Sequence, residues 1–306
     1  MNVQGLWSNS LFQQTAGIIM GALILVAILL FLTRNKANAS MAGWASVKSW
    51  IFITPVILIG LGSPWPGPMI LVVAAGIFSA KTFFQMVGIY HRSWFIWMTY
   101  LFILILGYLA TLKDLFLINL MPMIFLGAIS LIPLMRNSAT HMIQYLALSL
   151  LSFIFWGWSL MHMGLLILQE RGVFLVLYLI LLTEVSDNVA LATSRTIGRI
   201  KPFDRISHRV TLEGTLIAVV ATLALAWGMR HLLPDRSEKF WIAAGLVAAI
   251  VGRLGGLILS VIRRDLGIKN TGVFIIGRDD ILSRTDKLIF VGPLYYYIFH
   301  YLQHMS

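Results

Sequence analysis

The chain has 306 residues, of which 59% are hydrophobic and only 11% charged. Soluble domains carry about 25% charged residues, so this composition excludes a soluble fold and requires a bilayer to cover the apolar surface. The lack of cysteine excludes a disulfide framework and a thiolate metal site. The net charge of +11 is accounted for by positive cytosolic loops and anionic headgroups, and nucleic acid is not an expected partner.

In chain order, residues 1–14 are polar and uncharged and lack the basic start of a secretory signal, so the first apolar run reads as a retained span. A span needs about 20 mostly apolar residues. Ten segments qualify: 15–33, 49–62, 68–90, 94–112, 115–134, 141–168, 173–190, 210–227, 240–262 and 288–300. The second and the last are short enough to be re-entrant or half-length. Pro55 and Pro133 interrupt spans but form no matched pair of the kind that marks inverted-repeat transporters. The expected fold is an all-α polytopic integral membrane protein with about ten transmembrane helices.

Alternation of these spans puts sixteen Lys and Arg residues in one set of loops and five in the other, with Lys81 and Arg253 inside spans. The positive-inside rule then places the Arg-rich loops in the cytosol and both termini on the non-cytosolic side. No linker or fixed-period repeat divides the chain. Composition does: residues 1–168 read as an apolar scaffold with short loops, and residues 169–306 as a membrane region carrying two long charged loops.

The first polar segment contains Glu184, Asp187 and Asn188 at the cytosolic end of the seventh span. The two acids are three residues apart and share a helix face. Carboxylates at membrane depth face a cavity, a partner or an ion, and here they could equally end a helix in the headgroup zone. The loop continues through Ser194, Gly198, Arg199, Ser207, Arg209, Thr211, Glu213 and Gly214. Such a mixture holds phosphate through backbone N–H groups and cations, or lies as a solvated basic loop on an anionic leaflet. The second segment begins with Arg253, Ser260, Arg263 and Arg264 on one helical stripe and runs through Lys269, Asn270, Asp279, Asp280, Arg284 and Asp286. Its mixed charges suit a phosphate-rich substrate with a divalent cation, or a salt-bridged interfacial loop. No phosphate-binding Gly-rich loop, zinc helix or nucleophile elbow occurs, and His162, inside a span, reads as a hydrogen-bonded core residue.

These segments resemble the CDP-diacylglycerol synthase (phosphatidate cytidylyltransferase) family. The family signature is Ser-x-x-Lys/Arg-Arg-x4-Lys-Asp-x-Gly, a Pro-Gly-His-Gly-Gly stretch, then Asp-Arg-x-Asp. Ser260, Arg263, Arg264, Lys269, Gly272, Gly277, Arg284 and Asp286 fall on it, and Asp187, Gly198, Ile206, Ser207, Thr211, Glu213 and Gly214 follow an earlier family pattern. The match covers about the last 120 residues, with a faint upstream echo at Lys48, Ser49 and Trp50. Two family aspartates are replaced, by Asn270 and Ser283, and a family lysine by Val210, beside which Arg209 offers a charge.

The resemblance implies transfer of a cytidylyl group from CTP to phosphatidic acid with Mg²⁺, releasing pyrophosphate. Catalytic roles fall to Asp286, Asp187, Arg264 and Lys269, and substrate binding to Ser260, Arg263, Arg284, Ser207, Arg209, Thr211, Glu213, Gly214 and Gly198. The metal set is Asp286 and Asn270, with Asp279 or Asp280 in place of a lost ligand. The expected partners are an acidic phospholipid, CTP or another nucleoside triphosphate, and a second copy of the chain in a homodimer. The expected location is a bacterial inner membrane, with the site facing the cytosol. Two other readings stay open: an inactive relative that binds lipid or nucleotide, and a transporter.

Overall fold

The computed structural model describes residues 5–33, 38–137, 140–207, 210–235, 237–266 and 281–304. Among them the regular elements are all helical. We number them α1 (Ser10–Thr33), α2 (Asn38–Gly62), α3 (Gly67–Met86), α4 (Ser93–Leu112), α5 (Leu115–Met135), α6 (Met142–Ile167), α7 (Gly172–Thr196), α8 (Leu212–Gly228), α9 (Glu238–Asp265), α10 (Leu282–Thr285) and α11 (Leu288–His304). Helices α1, α3, α4, α5, α6, α7 and α9 are long and apolar enough to cross a membrane, and Val47–Gly62 and α8 are shorter apolar helices. Each of the ten apolar segments of the sequence has a helix at its centre.

The second segment differs from the reading of its hydropathy. It is no short stub: α2 runs unbroken from Asn38 to Gly62. Ala, Ser, Met and Lys interrupt an apolar run but tolerate helical dihedrals, so the helix outlasts the hydropathy signal. Ser49 and Trp50 thereby sit inside a helix rather than at the edge of a loop.

The bundle is layered by burial. Helix α6 lies innermost, with Phe153, Trp156 and His162 buried. Its middle, Phe153–Ser159, widens into a π-helical turn. There the backbone of α3 comes so close that a Cβ on Gly76 would lie 2.5 Å from the Trp156 carbonyl oxygen. Small residues permit this approach where no hydrophobic force pulls helices together in lipid. His162 Nδ1–H donates to the Trp158 carbonyl at 2.9 Å, which makes it the bonded core residue expected. On the outside, α1 turns Ile18 and Leu25 outward, 71% and 59% exposed, as suits a helix solvated by lipid chains.

Candidate active site

The site forms where α7, α9 and the short α10 meet, with α2 and α3 behind them. Helix α7 rises about 1.5 Å per residue, which puts Glu184 roughly 18 Å along the axis from Gly172, well inside a bilayer-length helix. Glu184 is buried, and its neighbour on the same face, Asp187, is half exposed. One cation answers both. Lys287 Nζ donates to the two Glu184 carboxylate oxygens at 2.9 Å each and lies 3.1 Å from Asp187 Oδ2. The Arg284 guanidinium adds a second positive charge 3.5 Å from Glu184 Oε2. Charges at this depth persist only when paired, and here they are.

Helix α10 is four residues long and cannot hold itself in place. Neighbours anchor it. Arg284 donates to Ser49 Oγ and stacks over the Trp50 ring, 4.4 Å from its centroid. Thr285 Oγ1 and Ser79 Oγ of α3 share a hydrogen bond of 2.9 Å. Arg263 of α9 donates to Ser283 Oγ at 3.1 Å. The chain beyond α10 then presses on α9 at a glycine: a Cβ on Gly255 would lie 1.7 Å from the Asp286 carbonyl oxygen. Asp286 is buried, and its Oδ1 has no hydrogen-bond partner among the described residues. A buried acceptor without a donor is costly, and a bound ion, a water or a catalytic role is among the explanations for one.

Arg253 sits two residues before Gly255 on α9. Its Nε donates to the Ala249 carbonyl at 3.0 Å and its Nη1 to Thr215 Oγ1 at 3.2 Å, so it faces protein and not lipid. Thr215 opens α8 next to the other motif, whose described side chains bond to one another and to the local backbone. Thr211 caps α8 by accepting from the Gly214 N–H at 3.1 Å, and its hydroxyl meets Ser194 Oγ at 2.8 Å. The Glu213 carboxylate accepts from the backbone N–H groups of Arg199 and Ile200 at 3.2 and 3.1 Å. Gly214 packs so tightly that a Cβ would lie 2.3 Å from Ser194 Oγ, and one on Gly198 would lie 2.7 Å from the Thr211 side chain. The backbone of Ser207 closes a turn onto the Phe203 carbonyl.

The structure therefore brings Asp187, Arg263, Arg284 and Asp286 into one neighbourhood. Ser260 donates to the Gly256 carbonyl within α9, and Arg264 is exposed on the last turn of that helix. Arg209, Lys269, Asn270, Asp279 and Asp280 lie outside the described residues. Lys287 is the residue that sequence reasoning missed: it counted only as one of many loop cations. Glu184 was noted without a role. The signals were Lys287's place beside Asp286 and the faint Ser49–Trp50 echo.

Among the described residues no three His, Asp or Glu side chains come together as metal ligands. Glu184 and Asp187 already hold the Lys287 ammonium, and Asp286 adds one buried oxygen, Oδ1, without a hydrogen bond among the described residues. Mg²⁺ takes oxygens in near-octahedral geometry, so these side chains do not by themselves fit the ion that the resemblance implies.

With this geometry in place, comparison with known proteins fixes the class. A profile of the Cytidylyltransferase family matches residues 44–302, and the chain belongs to that family. A protein of Escherichia coli (strain K12) named "Uncharacterized protein YnbB" is 32% identical over 160 residues, covering 49% of this chain and 54% of the relative. The phosphatidate cytidylyltransferase of Staphylococcus aureus (strain COL) is 30% identical over 128 residues, 41% of this chain and 49% of the relative. That of Synechocystis sp. is 36% identical over 113 residues, 37% of this chain and 38% of the relative. The matched stretch thus spans about half the length, or less, of the curated relatives.

Proposed function

We propose that the protein transfers a cytidylyl group from CTP to phosphatidic acid, or to a related acidic lipid, at the membrane face where α7, α9 and α10 meet. The observation that carries this reading is the buried Asp286 Oδ1, without a hydrogen-bond partner among the described residues, held beside α9 by the Gly255 contact on a segment that Arg263 and Arg284 anchor. The names of the Staphylococcus and Synechocystis relatives support the same choice of substrates.

In the reaction, a phosphate oxygen of the lipid forms a bond to the α-phosphorus of CTP. The bond from that phosphorus to the bridging oxygen breaks, and pyrophosphate leaves with the electron pair. Transfers of this kind depend on positioning and on neutralising phosphate oxygens more than on covalent chemistry by the protein. In this reading Arg263 and Arg264, on the last turn of α9, meet the triphosphate, and Arg284 fixes the segment that carries Asp286. The site opens to the cytosol of a bacterial inner membrane, the side the Arg-rich loops select.

The assay is pyrophosphate release by purified protein given CTP, phosphatidic acid and Mg²⁺. We expect release, and its loss in Asp286→Asn, which keeps the shape of the side chain. Absence of release with every nucleoside triphosphate and acidic lipid tried would leave the non-catalytic reading, in which nucleotide or lipid binds saturably without turnover and Arg264→Ala abolishes the binding.

A further inference from the structure

The acid pair of α7 poses a question separate from the reaction: which cation neutralises it. Glu184 has a side chain 10% exposed and Asp187 one that is 52% exposed. Two carboxylates one helical turn apart, one of them buried, are the usual material of a divalent-cation site. In this protein the place is taken. The Lys287 ammonium has three N–H donors, and three carboxylate oxygens surround it at 2.9, 2.9 and 3.1 Å. Its side chain is itself 10% exposed. Arg284 supplies the second positive charge, so the two acids meet two cations.

We propose that the Lys287 ammonium is a built-in counter-ion that closes the Glu184–Asp187 pair to divalent cations. A magnesium ion carried in on a nucleoside triphosphate is then not held by these acids. They keep the inner face of the site rigid and electrically neutral while α10 and Asp286 stay in register above them. The disagreement with the family's expected ion is thus local and has a named cause: a lysine occupies the position that a metal would need.

The test uses the full chain in detergent and Mn²⁺ alone, followed by the loss of the free-ion magnetic resonance signal. Neither nucleotide nor lipid is present, so the outcome is independent of the transfer assay. Asp187→Asn and Glu184→Gln should change the apparent Mn²⁺ affinity by less than about twofold, because neither acid is a ligand in the native protein. Lys287→Met should bind Mn²⁺ at least about tenfold more tightly, and its melting temperature should rise with Mn²⁺ where that of the native protein does not. Lys287→Met combined with Glu184→Gln should lose the gain. A weakening of about tenfold or more in Asp187→Asn overturns the proposal. So does a Lys287→Met protein that elutes like the native one and gains no affinity. Asp187→Asn leaves Lys287 paired with Glu184, so that arm stands even where Lys287→Met fails to fold.

Discussion

At the scale of single residues, the site is set by a few buried charges and by how completely each is answered. Glu184 is the most demanding, and Lys287 with Arg284 meets it. Breaking a buried ion pair by removing one partner typically costs about 3–5 kcal/mol, because the other charge is left uncompensated. Lys287→Met should therefore lower stability by about that amount in thermal unfolding of the solubilised protein. Adding Glu184→Gln to it should recover the larger part. A Lys287→Met protein as stable as the native one would mean that Arg284 alone compensates the pair. The face shared by Glu184 and Asp187 was legible in the sequence, because a spacing of three is a local helical fact. Lys287 was not, since it lies 103 residues from Glu184 and only the fold joins them.

At the scale of elements, the position of Asp286 depends on one close approach. The Asp286 carbonyl oxygen can rest on α9 only because residue 255 is glycine. Gly255→Ala should push the chain after α10 away from α9 and displace Asp286. A shift of about 1 Å can cost a hundredfold in rate, so pyrophosphate release should fall at least about tenfold. Gly256→Ala is the matched control: its Cβ would lie 3.6 Å from Asp286 Oδ2, an ordinary contact, and activity should stay within about twofold of native. The motif around Thr211 teaches a complementary lesson. Its residues were legible as a pattern, but hydroxyls, a carboxylate and glycines beside a helix start serve equally well to bind phosphate or to cap the protein's own backbone. The described hydrogen bonds of Thr211 and Glu213 go to that backbone and to Ser194.

At the scale of the whole molecule, the helical membrane architecture was readable from composition alone, because apolar runs of bilayer length leave few alternatives. What could not be read is how the first half supports the second. Ser49 and Arg284 lie 235 residues apart, and no local pattern links them. Yet Ser49 and Trp50 of α2 and Ser79 of α3 all contact α10. Trp50→Ala, which removes a stacking partner worth about 0.5–2 kcal/mol, should slow transfer several-fold while leaving the bundle folded, as judged by elution and helical signal. The central claim is that the cluster around Asp286 performs cytidylyl transfer to a lipid. The most direct measurement supplies CTP radiolabelled at either the α- or the γ-phosphorus to the protein in vesicles of phosphatidic acid and follows the label into the lipid phase. The account predicts that the α-label enters the lipid, the γ-label does not, and Asp286→Asn abolishes the transfer. Entry of the γ-label, or undiminished α-transfer in Asp286→Asn, would contradict it.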